Sequence, residues 1–301
     1  MPSFDSTPPF GRVLTAMITP FTAEGAIDHD RAWRLARFLS EHGSDGLVVT
    51  GTTGESPTLS EDEKVALYRT VVEAVQNKAT MVVAGTGTYD TAESVRLSRR
   101  AAEAGVDGLM AVTPYYSKPT QEGLARHFEA IADSTELPVL VYNIPGRTGR
   151  LIEVDTLARL ARHPRIVATK DAVMDIDFTS ATVHEVEDMV VYSGQDSYTL
   201  SMMAVGAVGV VSVISHLAGP TVAAMVEAAT AGEMARARRL HHDLLPLCRA
   251  CFLESNPGPV KAGLSALWEP VGEPRLPLVS ASAETVKAVE AAVGLLQVVT
   301  A

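Results

Sequence analysis

Cysteine and aromatic residues are scarce in this chain of 301 residues, which contains two cysteines and 5% aromatic residues. Cys248 and Cys251 fall within one predicted helix, where they are too close for an easy disulfide, and the second pair of ligands that a zinc site needs is missing. We therefore expect two buried free thiols, which suit the reducing cytoplasm.

Long uninterrupted hydrophobic segments are also lacking. Several prolines and Gly11 break the amino-terminal segment, so it has no continuous apolar core of a secretory signal. The longest apolar stretch, residues 202–214, contains Gly206 and Gly209 and is too short to span a bilayer. We expect a cytoplasmic protein without a membrane-inserted segment.

Basic residues are outnumbered, since 25 lysines and arginines stand against 36 aspartates and glutamates and the net charge is -11. A field of this sign repels polyanions, which argues against nucleic acid and anionic membranes as partners. Any anionic substrate must therefore be held by local cations. The apolar content of 47% is sufficient for one large domain with a full core.

Eight short, continuous apolar runs are the strongest pattern in the chain. They lack the polar alternation of half-exposed strands, as parallel strands covered on both faces do. Helical patterns separate them, and one of these opens with a capping box of Ser60 and Glu63. The pattern predicts an α/β fold, a (β/α)8 TIM barrel. The runs begin near Val13, Leu47, Met81, Leu109, Val139, Ile166, Met189 and Val208.

A doubly wound open sheet is the alternative fold. It usually has fewer strands and a glycine-rich loop after the first, whereas here residues 19–21 (TPF) follow the first run. The segment after Ile214 is longer than one closing helix requires. We predict a barrel catalytic domain over residues 1–232 and, over residues 233–301, a C-terminal extension of two or three helices packed on the barrel.

Polar motifs follow three of the runs, at the carboxyl ends of the predicted strands, where enzymes of this fold carry their active sites. They are residues 51–56 (GTTGES), 142–147 (YNIPGR) and 170–171 (KD). Three such motifs would converge on one mouth of the barrel.

Lys170 is the central candidate because the apolar strand before it would carry its ammonium group into the barrel. Burial there would lower its pKa toward neutrality, and a neutral amine can attack a ketone to form a Schiff base. The alternative is a lysine solvated on the rim.

The other motifs allow similar pairs of interpretations. The loop 51–56 offers hydroxyls and backbone N–H groups to a carboxylate, or it is a plain turn into the next helix. Tyr142 could relay protons to a hydroxyl such as that of Thr52, or it is a core aromatic residue. Arg147 could hold a second carboxylate, or it forms a surface ion pair. Metal, nicotinamide and phosphate-transfer motifs are missing, so no metal or cofactor is expected.

Four motifs together resemble the dihydrodipicolinate synthase and N-acetylneuraminate lyase superfamily, and within it the dihydrodipicolinate synthase family. They are residues 51–56, 112–116 (VTPYY), 142–149 (YNIPGRTG) and 170–172 (KDA). They occur in order at predicted strand ends, and the resemblance covers essentially the whole chain. It implies an enzyme that condenses pyruvate with aspartate 4-semialdehyde in lysine and diaminopimelate biosynthesis, through a covalent Schiff base and without another cofactor.

The resemblance also implies a role for each matching residue. Lys170 would form the Schiff base, with Tyr142, Thr52 and Tyr116 as a proton relay. The family's counterpart of Tyr116 reaches a neighbouring subunit, which implies a homodimer, commonly paired into a homotetramer. The implied substrate-binding residues are Thr53 for the pyruvate carboxylate, Arg147 for the semialdehyde carboxylate, and Gly194 and Val211 for the pyruvate pocket through backbone groups.

A lysine-regulatory site is the further implication of the resemblance, and three residues match it: Ser56, Glu93 and Tyr115. Three others depart from it, at positions where lysine-inhibited relatives often have histidines and an asparagine: Glu61, Lys64 and Tyr89. We expect weak or absent feedback by lysine.

Two other functions stay open at this point. The first is another aldolase of the superfamily, acting on sialic acid or a keto-deoxy sugar acid, although an entrance arginine better suits a short substrate with its own carboxylate. The second is a catalytically silent barrel that binds pyruvate or an amino acid, for which a proton relay would have no use.

Overall fold

The computed structural model describes residues 8–300, and the side chains of residues 8–296. Eight parallel strands close into a barrel in chain order, which confirms the predicted (β/α)8 architecture. Each strand begins at or within one residue of the predicted position. The strands are β1 Val13–Ala16, β2 Gly46–Val49, β3 Met81–Gly85, β4 Gly108–Val112, β5 Val139–Asn143, β6 Ile166–Asp171, β7 Val190–Ser193 and β8 Gly209–Ser212.

Helices cover the barrel, and three more follow it. The barrel helices are α1 His29–Glu41, α2 Glu61–Val75, α3 Thr91–Glu103, α4 Gln121–Ala132, α5 Pro145–Thr148, α6 Val154–Ala161, α7 Ile176–Glu185, α8 Thr199–Ala204 and α9 Ser215–Thr230. The extension consists of α10 Met234–Ala250, α11 Gly258–Leu267 and α12 Ala283–Thr300. Among the described residues, no helix has the length and hydrophobicity that crossing a bilayer requires.

Local signals in the sequence account for the helix starts. Ser60 accepts a hydrogen bond from the Glu63 N–H, and the Glu63 carboxylate accepts one from the Ser60 N–H, so the predicted capping box begins α2. The Asp90 carboxylate similarly accepts from the Glu93 N–H at the start of α3. These caps place the helices directly after the loops at the barrel mouth.

Alternate residues of each strand face the inside and the outside of the barrel. On β5, Leu140 and Tyr142 belong to the inner hydrophobic cluster, whereas Val141 packs outward against the helices. Ala168 of β6 and Ala172, directly after this strand, belong to the same inner cluster. The period of two along a strand therefore directs Lys170, which lies between them, into the barrel.

The extension shares a hydrophobic core with the barrel. Leu244 and Leu247 of α10 pack in one cluster with Val226 of α9 and Val210 of β8. The predicted division between residues 232 and 233 falls in the short connection between α9 and α10, and this cluster continues across it. Residues 1–7 and 301 of the two predicted ranges lie outside the described residues.

Both cysteines are free and buried, as predicted. Cys248 lies in α10, but Cys251 is the residue that caps this helix, because the helix ends at Ala250. Burial raises the pKa of both thiols, which keeps them protonated.

Candidate active site

Lys170 lies near the carboxyl end of β6 with only 6% of its surface exposed, which excludes a solvated position on the rim. In the sheet it pairs with Tyr142 of β5 on one side and Tyr192 of β7 on the other. Its Nζ atom is 4.0 Å from the centre of the Tyr142 ring. The amine is therefore enclosed by the inner wall of the barrel, with an aromatic face against it.

Burial lowers the pKa of Lys170 to about 7, because the charged ammonium loses its hydration inside the barrel. The carboxylate of Asp196 opposes this shift, and the positive charge of Arg147 adds to it. A lysine with this pKa is substantially neutral near pH 7 and can act as a nucleophile without a separate base.

Asp196 is a residue of the site that the sequence argument missed. It is buried at the start of the 3₁₀ turn Asp196–Tyr198 after β7. The Ser212 hydroxyl donates to its carboxylate, as do the backbone N–H groups of Val213 at 2.9 Å and Ile214 at 3.3 Å. Its position just after a strand could have marked it as a residue of the site. An acidic residue at the start of a helical turn is also a common helix cap, however, so the position alone does not indicate function.

Thr52, Tyr142 and Arg147 line one cavity of about 220 Å³ at the barrel mouth. Burial raises the pKa of the Tyr142 phenol to about 12, and the nearby Arg147 charge and a hydrogen bond with Thr52 offset that rise only in part. The phenol therefore stays protonated. A protonated phenol bonded to a second hydroxyl can pass a proton in either direction.

The loop after β2 folds back on itself. The Glu55 N–H donates to the Thr52 carbonyl at 3.1 Å, and the Ser56 N–H donates to the Gly51 carbonyl at 3.2 Å. A side chain at Gly54 would come within 3.0 Å of the Thr50 backbone, so this close turn requires glycine. Thr53 is buried in the turn beside Thr52.

Gly194 directly follows β7, and Val211 lies in β8, which is separated from β2 by β1 alone. The Gly194 N–H donates to the Asp171 carbonyl at 2.7 Å, and a Cβ atom at Gly194 would lie 2.8 Å from the Cβ atom of Ala172. Val211 belongs to the inner cluster. The close packing at Gly194 brings β7 backbone next to the end of β6, where Lys170 is located.

Tyr116, a predicted catalytic residue, does not line the cavity. Its side chain is 93% exposed, and its φ of 68° is in the left-handed region that non-glycine residues rarely adopt. The preceding Tyr115 lines the cavity and packs edge-to-face against Tyr89, with ring centres 5.2 Å apart. Tyr116 thus points away from the site of its own chain.

One of the matched regulatory residues, Glu93, lies near a buried lysine, Lys64 of α2. Burial lowers the pKa of Lys64, and the charges of Glu93 and Glu61 oppose this shift. Ser56 and Tyr115 line the cavity beside Thr52. The predicted regulatory region therefore already contains an ammonium group, that of Lys64.

A closed (β/α)8 barrel with a near-neutral lysine inside its carboxyl mouth is the framework of an amine-dependent aldolase. A sequence profile described as the dihydrodipicolinate synthetase family matches residues 9–295. The chain therefore belongs to this family.

Similar proteins cover nearly the same length. A 4-hydroxy-tetrahydrodipicolinate synthase of Moorella thermoacetica is 54% identical over 94% of this chain and 97% of its own. A dihydrodipicolinate synthase structure from Bacillus anthracis is 45% identical with a TM-score of 0.91, covering 95% of this chain and 98% of its own. A structure of the enzyme from Cyanidioschyzon merolae, with lysine bound, is 40% identical with a TM-score of 0.94, and the match covers 96% of this chain and 100% of its own.

Proposed function

We propose that this chain is a 4-hydroxy-tetrahydrodipicolinate synthase, which condenses pyruvate with L-aspartate 4-semialdehyde in lysine and diaminopimelate biosynthesis. Curated relatives of this name, 50–54% identical to the chain, support the activity. The observation that carries the proposal is the buried amine of Lys170, with its pKa of about 7, against the Tyr142 ring.

The first step is attack of the neutral Lys170 amine on the keto carbon of pyruvate. Loss of water then gives an iminium ion, which withdraws electrons so that the methyl group of pyruvate gives up a proton. The resulting enamine carbon attacks the aldehyde carbon of the semialdehyde and forms the new carbon–carbon bond. Tyr142 and Thr52 would carry the protons that these steps release and consume. Because the iminium is the electron sink, no metal or other cofactor is needed.

The two carboxylates would bind at opposite ends of the cavity. Thr53 and the turned loop around it would hold the carboxylate of pyruvate, with backbone groups of Gly194 and Val211 around its other side. The Arg147 guanidinium lines the same cavity and would pair with the carboxylate of the semialdehyde. An arginine in the cavity lining favours a short substrate with its own carboxylate over a sugar acid, which needs groups that bind its hydroxyls.

The third relay residue would come from a second copy of the chain. Tyr116 is nearly fully exposed and points away from its own cavity, which supports exchange of this residue between two subunits. A homodimer would then be the smallest active unit, and two dimers could pair into a homotetramer in the cytoplasm.

Reductive trapping tests the covalent step. The protein is incubated with pyruvate and borohydride, and the adduct is located by mass spectrometry of peptides. We expect a label on Lys170, whereas Lys170→Ala should be unlabelled and lose nearly all turnover. A trapped adduct at another lysine, or none, would refute the mechanism.

Turnover with alternative acceptors tests the substrate. Aspartate 4-semialdehyde should be consumed with pyruvate, and N-acetylneuraminate and keto-deoxy-gluconate should not be cleaved. Cleavage of either sugar acid would favour the other aldolases of the superfamily. Labelling of Lys170 without turnover of any of them would favour a pyruvate-binding barrel.

A further inference from the structure

A buried ion pair joins the extension to the loop after β2. The Lys261 Nζ atom of α11 lies 2.8 Å from the Glu55 carboxylate, and the two side chains are 2% and 0% exposed. Lys261 also donates to the Glu273 carbonyl at 3.3 Å. Glu55 directly follows the turn that contains Thr52 and Thr53.

A second residue of the extension completes the enclosure of Glu55. The Arg275 N–H donates to the other carboxylate oxygen of Glu55 at 2.8 Å. The Arg275 guanidinium pairs with Glu63 at 2.6 Å and also donates to the Thr58 carbonyl at 2.9 Å. Lys261 and Arg275 both lie over the ring of Phe21, at 4.3 and 4.5 Å from its centre. Both of these partners of the Glu55 carboxylate, the Lys261 ammonium and the Arg275 N–H, therefore belong to the extension.

The backbone of Glu55 needs such an anchor. Its φ and ψ of 58° and 36° are left-handed, a conformation that is unfavourable for a residue with a Cβ atom and persists where the surroundings enforce it. A buried ion pair is also a weak source of net stability, because both ions lose their hydration. The arrangement is therefore better explained by the position that it imposes on the loop.

Another contact from the extension reaches the loop two residues earlier. The Asn256 Nδ2 atom donates to the Thr53 hydroxyl at 2.8 Å, and both residues are buried. The extension thus holds the loop at Thr53 and again at Glu55, on the two sides of the turn at Gly54. Thr52, whose carbonyl accepts the Glu55 N–H, is fixed by the same contacts.

We propose that Lys261 and Asn256 are positioning residues for the loop 51–56, which hold its threonines in the geometry that binds the carboxylate of the keto acid. Neither residue lines the cavity. The identity of the ligand as pyruvate rests on the proposed function. Residues that only stabilised the fold would affect both substrates. Lys261 and Asn256 should instead affect binding of the keto acid and not binding of the aldehyde.

The main variant is Lys261→Met, which keeps an unbranched chain of similar length and removes the charge. Glu55→Gln/Lys261→Met removes both charges, so that no uncompensated carboxylate stays buried, and it serves if the single variant does not fold. Asn256→Ala removes the contact to Thr53 alone. Lys78→Met is the matched control, because Lys78 and Glu41 also pair at 2.8 Å but lie partly exposed on the outside of the barrel, after α2 and at the end of α1.

Steady-state kinetics, pyruvate trapping with borohydride and amide hydrogen exchange are measured on all four variants. We expect each of the three loop variants to raise the KM for pyruvate about tenfold, as loss of well-placed charged hydrogen bonds does, and to slow trapping similarly. The KM for the semialdehyde at saturating pyruvate should change less than about twofold, since Arg147 is not held by this loop. Exchange at residues 51–56 should increase, and Lys78→Met should match the wild type.

A folded Glu55→Gln/Lys261→Met variant whose KM for pyruvate and loop exchange equal those of the wild type would overturn the inference. Equal rises in both KM values would overturn it as well, because they indicate a general loss of structure. Absence of trapping in the wild type is a different result and would refute the proposed function. Unchanged amide hydrogen exchange at residues 51–56 in the variants would refute the positioning role, whether or not the wild type is trapped.

Discussion

Lys170 occupies an environment that is unfavourable for its own charge. The inner-wall residues Ala168 and Ala172 flank it along the chain, and the Tyr142 ring lies against its amine. Burial of Lys170 therefore lowers the free energy of unfolding at every pH at which the lysine is protonated in the unfolded chain. The same burial supplies the neutral amine that the proposed chemistry uses.

The pH dependence of stability follows from this lowered pKa. Between the unfolded value near 10.5 and the folded value of about 7, the unfolded chain binds a proton that the folded chain does not, so stability falls as the pH falls. The loss is complete below pH 7. Lys170→Met should therefore be more stable than the wild type, by about 4 kcal/mol near pH 7, with little gain from removal of the charge above about pH 11.

Urea unfolding at a series of pH values measures this difference. Trapping of pyruvate by the wild type should rise with pH through about 7 and then level off, because the neutral amine is the reactive form. A stability gain for Lys170→Met that does not change with pH would show that the amine titrates normally.

Individual residues differ in how far the sequence could predict them. Lys170 followed an apolar strand, and the period of two placed it inside the barrel. Glu55 and Lys261, in contrast, are 206 positions apart, and no local pattern connects them. Asp196 was missed for the same reason, since its hydrogen-bond donors belong to β8 and the loop after it. Contacts made only in the folded chain leave no periodic signal.

At the level of elements, the strands were predicted almost to the residue because buried parallel strands are continuous apolar runs. Helix starts were predictable where a cap is encoded locally, as at Ser60. The course of the segment between α11 and α12 was not, because it has little secondary structure of its own and is held by Arg275 through contacts with Gly25, Thr58 and Glu63.

The starts of α2 and α3 determine the expected response to lysine. Lys64 is buried there, and Glu61 is already paired with Arg96 and Arg100 at 2.9 Å. A lysine ligand would add a second ammonium group beside Lys64, which is repulsive. We expect less than half inhibition at millimolar lysine in a purified assay, and stronger inhibition of Lys64→Gln.

Lys78→Gln is the control for this measurement, because it removes a partly exposed lysine from the loop that follows the same helix. Inhibition of the wild type by submillimolar lysine would contradict the expectation. Equal lysine sensitivity of the wild type and Lys64→Gln would show that the Lys64 charge is not the cause.

On the scale of the whole molecule, the position of Tyr116 predicts complementation between subunits. Lys170→Ala and Tyr116→Phe should each be nearly inactive, and co-expression of the two should restore about one quarter of wild-type activity. Half of the randomly formed dimers are mixed, and each mixed dimer contains one complete site. Turnover of the co-purified mixture measures this.

The matched control pairs Lys170→Ala with Tyr142→Phe. Tyr142 and Lys170 are adjacent in the sheet of one chain, so no mixed dimer would contain a complete site and activity should not return. Restoration in both mixtures, or in neither, would show that Tyr116 does not cross between subunits.

The attachment of the loop 51–56 to α11 and Arg275 also determines how much of the chain must be synthesised before the active site can be complete. A ribosome that has released β8 and α9 has made every strand of the barrel, and Lys170 can already be enclosed. The threonine turn still has no anchor at that moment, because its partners at positions 256, 261 and 275 are not yet available. Synthesis therefore completes the strand that carries Lys170 well before the residues that hold the loop 51–56, and we expect efficient binding of keto acids only when nearly all of the chain has left the exit tunnel.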